Sequence, residues 1–217
     1  MNRRIVWILC LGMLAALLLP GCGAEQDAPV GTWRGSVDLT QPLNDEVTAA
    51  IGEELESFFC FHSFVLPCRA CFTEEGTYTI SFDRSGVEQA LPSLRQDLRD
   101  GMYAYVACLI RQEESDMDMD AFLALSGESV EEMTAQIFEA MDLDGTIREL
   151  LEFCSQEGTF SVRDGALMLS DSPESDPDAG ICHAFVLQDN TLTIAAADGH
   201  ASGIGESVYP LQLTRAA

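Results

Sequence analysis

The hydrophobic pattern of this 217-residue chain changes its period twice, and this limits the folds that the chain can adopt. Before Phe82 the pattern is typical of short β-strands, apart from one helical stretch at Leu43 to Phe58. From Arg84 to about Glu157 apolar residues recur at helical spacing, and strand-like alternation resumes at Gly158. We therefore predict an α+β chain in which a helical insertion interrupts a set of antiparallel strands.

About eight strands are predicted, several of them joined in hairpins. Strand pairs flank three turn sequences, Thr73–Gly76, Asp164-Gly165 and Asp189-Asn190. The predicted strands are Gly31–Leu39, Phe64–Phe72, Thr77–Phe82, Thr159–Val162, Leu167–Leu169, Cys182–Leu187, Thr191–Ala195 and Tyr209–Thr214. Because closure removes the exposed edges of a sheet, the pattern favours an up-and-down barrel or a tightly curled sheet. The helical insertion, residues 84–157, then lies between the third and fourth strands.

Residues at the two ends of the strand pattern carry a family resemblance. Gly31-Thr32-Trp33 opens the first strand, and Arg215 follows the last one. This arrangement resembles lipocalin-like barrels, in which a Gly-x-Trp motif begins the barrel and a late arginine stacks over the tryptophan. The resemblance implies that Trp33 and Arg215 close the barrel by a cation–π contact, which is a structural role. The helical insertion has no counterpart in ordinary lipocalins.

The N-terminal segment predicts where the chain is located. Arg3 and Arg4 precede an apolar run from Ile5 to Leu19, and the small residue Gly21 precedes Cys22. The run is short for a membrane span, since a spanning helix needs about 20 residues. The segment resembles bacterial lipoprotein signal peptides, which implies cleavage before Cys22 and lipidation of that residue. An ordinary secretory signal or an N-terminal membrane anchor is the alternative.

The chain accordingly divides into a signal peptide at 1–21, a lipidated tether at 22–29 and a β domain at 30–217 that contains the insertion at 84–157. We expect a lipid-anchored protein on the extracytoplasmic face of the cell membrane or elsewhere in the cell envelope. The chain carries 36 acidic and 11 basic residues, a formal net charge of −25. This charge argues against nucleic acid and anionic lipid as partners, because both would be repelled.

Six cysteines remain beyond the tether, and their state is open from the sequence: Cys60, Cys68, Cys71, Cys108, Cys154 and Cys182. An extracytoplasmic location permits disulfides, and Cys68 and Cys71 are a candidate local pair. With Cys60 and His62 they would also supply four zinc ligands if the chain doubled back, although extended spacing argues against such a site. Free thiols are the third state. Cys108 and Cys154 in the insertion lie on apolar helical faces, which are compatible both with buried free thiols and with a disulfide.

Two acidic segments raise the question of calcium binding. Asp116–Asp120 matches the first half of an EF-hand loop, but Ala121 and Gly127 stand where the glycine and the bidentate glutamate belong. This segment is better interpreted as a helix N-terminus, in which aspartates accept hydrogen bonds from free N–H groups. Asp171–Asp178 is interpreted as a solvated loop between strands. We therefore predict no metal site.

Enzyme motifs are missing from the sequence, which contains no Gly-x-Ser-x-Gly, His-Glu-x-x-His or glycine-rich phosphate loop. We predict a non-catalytic binding module, without metal or organic cofactor, attached to the membrane through lipid on Cys22. It would hold a small apolar ligand in the barrel or at the barrel–helix junction. The alternative is a structural or protein-interaction lipoprotein of the envelope with a filled barrel and an unknown protein partner. Bulky inward-facing residues would favour the alternative.

Overall fold

The computed structural model of the chain describes residues 27–112, 118–172, 174, 176, 180–197 and 208–216. The predicted signal peptide, residues 1–21, and Cys22 lie outside the described residues. The tether predicted at 22–29 is described from Asp27 onward. In the part of the chain that is described, no helix combines the length and the apolar character needed to cross a bilayer.

Eight antiparallel strands close into a barrel in sequence order. The strands are β1 Gly31–Asp38, β2 Val65–Phe72, β3 Thr77–Phe82, β4 Gln156–Arg163, β5 Ala166–Ser170, β6 Ile181–Gln188, β7 Thr191–Ile194 and β8 Leu211–Arg215. The helices are α1 Thr40–Ile51, α2 Glu53–Glu56, α3 Arg84–Gln112, α4 Met119–Ser126, α5 Val130–Ala140 and α6 Leu143–Cys154. Each strand pairs with its sequence neighbours, and β1 also pairs with β8. The predicted fold class is confirmed, including the helical insertion, α3–α6, between β3 and β4.

The helix predicted over Leu43–Phe58 differs at both ends. It begins earlier, at Thr40, because the Asp38 carboxylate accepts a 3.0 Å hydrogen bond from the Thr40 N–H. A hydrogen bond from the Thr40 hydroxyl, together with this one from the Thr40 N–H, lowers the pKa of Asp38. The helix ends at Ile51, because Gly52 has a φ of 91°, outside the helical region. The apolar spacing continues past this glycine into the short helix α2, so the pattern alone does not show the break.

The insertion is held together by its own caps and contacts. The Asp118 side chain accepts from the Ala121 N–H at 2.8 Å and caps α4, so the acidic run does end at a helix N-terminus. Ser129 and Glu132 form a capping box at the start of α5. An ion pair of 2.7 Å between Arg99 and Glu131 joins α3 to α5. The caps fix where α4 and α5 begin, and the exposed ion pair links α3 to α5.

The connections give the barrel two different ends. One end, which we call the base, carries the chain entry before Gly31, the three hairpin turns and the end of β8 at Arg215. The other end, the helical end, carries α1 and α2 between β1 and β2 and the insertion between β3 and β4. Because strand direction alternates, every hairpin turn falls on the base and the helices fall on the opposite end.

Candidate functional site

The base of the barrel is closed by Trp33 and Arg215. These residues are Cα partners across the β1–β8 seam, and the guanidinium carbon of Arg215 lies 4.4 Å from the centre of the fully buried Trp33 ring. The indole N–H of Trp33 donates to the Pro29 carbonyl at 2.7 Å, and Arg215 Nη1 donates to the Val30 carbonyl at 3.1 Å. The pair therefore joins the last strand to the segment that enters the barrel.

The barrel interior is occupied by bulky side chains of its own strands. The buried apolar residues that the strands contribute include Trp33, Val37, Leu66, Phe72, Tyr78, Ile80, Phe160, Leu167, Leu169, Phe185, Leu192, Ile194, Leu211 and Leu213. The Phe72 ring lies 6.0 Å from that of Tyr78 and 5.1 Å from that of Phe160, so three strands share one aromatic cluster. Burial raises the pKa of Tyr78 to about 12. Side chains of this number and size are enough to fill an eight-stranded barrel.

A small polar group lies among these apolar residues. His183 is 5% exposed, and its Nδ1 lies 2.9 Å from the Ala195 carbonyl oxygen. Its ring is 4.6 Å from that of Tyr209, whose hydroxyl donates to Gln156 Oε1 at 2.8 Å. These contacts tie β6 and β4 to the segment before β8. Cys182 is exposed while His183 is buried, as their neighbouring positions on a strand predict.

A cleft of about 1220 Å³ lies at the barrel–helix junction. It forms because β3 and β4 pair only as far as Ile80 and Gln156, after which the chain diverges into α3 and returns through α6. Apolar residues line it from both helices: Val87, Leu91 and Leu151, which are half-buried, and Ile147, which is buried. Charged residues of both signs also line it: Arg84, Glu88, Asp144, Arg148, Glu152 and Glu157. The cleft therefore suits an amphipathic group more than a wholly apolar one.

The cysteines do not form the candidate pair. All six cysteines in the described part of the chain are free thiols. Cys68 points into the barrel and Cys71 lies on the outer face, because residues three apart on β2 project from opposite faces. The candidate Cys68–Cys71 disulfide is therefore not formed, and the two thiols cannot share a metal ion. His62 Nδ1 instead lies 3.0 Å from the Asp97 carboxylate.

We expect the thiols to differ in reactivity according to burial. Cys60 and Cys182 are exposed, whereas burial raises the pKa of Cys68 and raises that of Cys154 to about 11. Since the thiolate is the nucleophile, Cys154 should be alkylated by iodoacetamide at pH 8 on the order of 100-fold more slowly than Cys182. Peptide mass spectrometry over time measures these rates. In urea the two alkylation rates should become equal. Equal rates in the native chain would contradict the burial of Cys154.

Comparison of the chain with protein-family models, with curated proteins and with solved structures found no match. The structure places Trp33 beside Arg215 and separates Cys68 from Cys71, while Cys22 lies outside the described residues. Sequence reasoning named the barrel–helix junction but did not find the residues of the cleft. The signal available for them was the helical spacing of apolar residues at the two ends of the insertion.

Proposed function

We propose that the chain is a lipid-anchored, extracytoplasmic lipoprotein that acts without catalysis by binding another protein through its helical end. The barrel serves as a rigid scaffold. The observation that carries this proposal is the barrel interior, in which bulky side chains such as Trp33, Phe72 and Phe160 occupy the space where a lumenal ligand would lie. The filled barrel supports the protein-interaction function over a carrier of a small apolar ligand in the lumen.

The placement of the two barrel ends also supports this function. The described chain enters at the base, beside Trp33, and a tether ending there would hold the base towards the membrane. The helical end then faces away from the anchor, where a partner can reach it.

The surface of the helical end has features that suit a protein partner. Leu125 on α4 and Phe153 on α6 are 75% and 56% exposed, the highest values among large apolar side chains in the described residues. The short helix α2 carries Glu53, Glu54 and Glu56, all exposed. Aromatic and apolar groups anchor interfaces, and complementary charge speeds encounter. We therefore infer a partner whose surface is basic around an apolar patch.

The cleft favours a second candidate function, the binding of a small amphipathic molecule at the barrel–helix junction. Its apolar walls, formed by Val87 and Leu91 on one side and Ile147 and Leu151 on the other, would contact such a molecule. The sequence analysis allowed a ligand either in the barrel lumen or at this junction, and the second candidate function places it at the junction.

Photo-crosslinking in cells tests the interaction function. A photoreactive residue at Leu125 or Phe153 should give one discrete adduct with another protein, while the same residue at Val186, which is 39% exposed on the barrel wall, should give none. Replacing Phe153 by Asp should remove the adduct formed from position 125 if both residues contact one partner. Adducts of equal yield from all three positions, or from none, would contradict the proposal.

Native mass spectrometry of the purified chain separates the second function from the first. A bound small molecule adds a fixed mass, and Leu151→Arg in the cleft should remove this mass without changing the crosslinks at the helical end. A small-molecule adduct that survives Leu151→Arg would place the ligand outside the cleft.

A further inference from the structure

Arg34 and Arg69 lie directly opposite each other on the outer wall of the barrel. They are Cα partners in the antiparallel pairing of β1 with β2, and both are exposed. Directly opposite residues on antiparallel strands have Cβ atoms about 4.5–5.5 Å apart. The two guanidinium groups therefore share one small patch of the wall.

Acidic residues do not neutralise this patch. Neither arginine forms an ion pair with any residue that the structure describes. In the four strands around it, β8, β1, β2 and β3, the one acidic residue is Asp38, which lies four positions from Arg34 and therefore about 13 Å along the strand. The Asp38 carboxylate is also engaged by the N–H and the hydroxyl of Thr40.

Charge balance makes the pair unusual in this chain. The sequence holds 36 acidic and 11 basic residues, yet two of the basic residues face each other across a strand pair. Like charges directly opposite in a sheet repel each other. An anion that bridges the two guanidinium groups would turn this repulsion into attraction.

Two neighbouring hydroxyl side chains lie in the same row, and that of Thr214 donates to the Arg34 carbonyl at 3.3 Å. Thr214 on β8 is the partner of Arg34, and Ser81 on β3 is the partner of Arg69, so the row reads Thr214, Arg34, Arg69 and Ser81 across four strands. Arg34 and Thr214 also line a shallow groove of about 450 Å³. All four residues are on paired strands, which hold such groups more firmly than loops do.

We propose that this arginine row, Thr214–Arg34–Arg69–Ser81, binds a phosphate group, either free or carried by a monoester such as a phosphatidic acid headgroup. A phosphate offers several acceptor oxygens and up to two negative charges, which match two guanidinium groups at once. A carboxylate offers two oxygens and one charge, so it would satisfy only one of them. Phosphate is thus the oxyanion that this arrangement fits best.

The net charge of −25 opposes binding to anionic lipid, but the proposed lipid anchor would hold the arginine row near the bilayer and so makes a headgroup one source of the phosphate. Arg34 follows Cys22 by about 12 residues, a distance of at most ~40 Å when fully extended, so the wall could reach the bilayer surface. This source rests on the proposed anchoring at Cys22. Binding of free phosphate does not depend on the anchor, so the two proposals can fail separately.

Titration of the full-length chain in dodecyl maltoside, an uncharged detergent, tests the proposal. Inorganic phosphate, added at constant low ionic strength and followed by ³¹P NMR, should bind saturably, and Arg34→Gln or Arg69→Gln should weaken binding about tenfold. The matched control is Arg163→Gln, which removes an exposed arginine at the end of β4 and should leave the affinity for phosphate unchanged. Acetate should bind at least about tenfold more weakly than phosphate.

Short-chain dihexanoyl phosphatidic acid distinguishes the two sources. If this lipid binds with higher affinity than inorganic phosphate, the arginine row is assigned to a headgroup. If inorganic phosphate binds with higher affinity, the row is assigned to free phosphate. Equal phosphate affinity in the parent and in the Arg34→Gln/Arg69→Gln double variant overturns the proposal, as does absence of saturable binding of both probes. Arg34→Lys/Arg69→Lys guards against a folding artefact, because it keeps both charges and should retain part of the affinity.

Discussion

Replacement of Trp33 by alanine lowers the free energy of unfolding by about 3–5 kcal/mol, the range for removing a large buried aromatic side chain. Trp33 is fully buried, its indole N–H bonds the Pro29 carbonyl, and its ring lies under Arg215. The substitution therefore opens a cavity and leaves the seam between β1 and β8 without its contact. Because domains have a total stability of about 5–15 kcal/mol, the variant is expected to unfold at much lower urea concentration.

Circular dichroism in urea measures this loss. Tryptophan fluorescence does not serve, because the variant lacks the one tryptophan beyond the predicted signal peptide. Arg215→Gln should cost less, about 0.5–2 kcal/mol, because it removes the cation–π contact but leaves the indole in place. Val186→Ala on the outer wall is the control and should change stability by no more than about 0.5 kcal/mol. A Trp33→Ala variant as stable as the Val186→Ala control would refute the structural role of Trp33.

Replacement of Cys22 by alanine is expected to abolish lipid attachment. In the parent chain, two or three acyl chains on this residue would hold the protein on the membrane far more firmly than one chain can. The variant should incorporate no labelled palmitate and should move from the detergent phase to the aqueous phase in Triton X-114 partitioning. Cys60→Ala, which removes an exposed thiol of the folded part, is the control and should label like the parent. Undiminished labelling of Cys22→Ala would refute the lipoprotein assignment.

Much of the fold could be predicted because its signals are local. Hairpins at Asp164-Gly165 and Asp189-Asn190 are predictable since both turns place residues in the left-handed region, with Asp164 and Asp189 each at a φ of 53°. The insertion starts where the period changes at Arg84, whereas the pattern placed its end at Glu157, which lies inside β4 because that strand begins at Gln156. Even so, the interior proline Pro92 gives no break in α3, which runs continuously to Gln112.

Features that depend on strand register could not be predicted in the same way. The Arg34–Arg69 pair and the filled interior follow from which residues of β1 and β2 stand opposite each other, and the sequence does not specify that pairing. The candidate Cys68–Cys71 pair does not depend on register, because residues three apart on one strand project from opposite faces in any register. The cleft depends on where β3 and β4 separate, which is a tertiary feature.

The strands β3 and β4 pair with each other although about 70 residues separate them along the chain. Closing so long a connection costs roughly 2–3 kcal/mol more in chain entropy than closing a four-residue turn, because the cost rises with the logarithm of length. Packing among the helices shortens the effective distance between the two strands before they meet. If the helices unfold, the barrel opens along this seam and presents two unpaired strand edges, which are templates for aggregation. Unfolding of the insertion would therefore favour self-association of the chain.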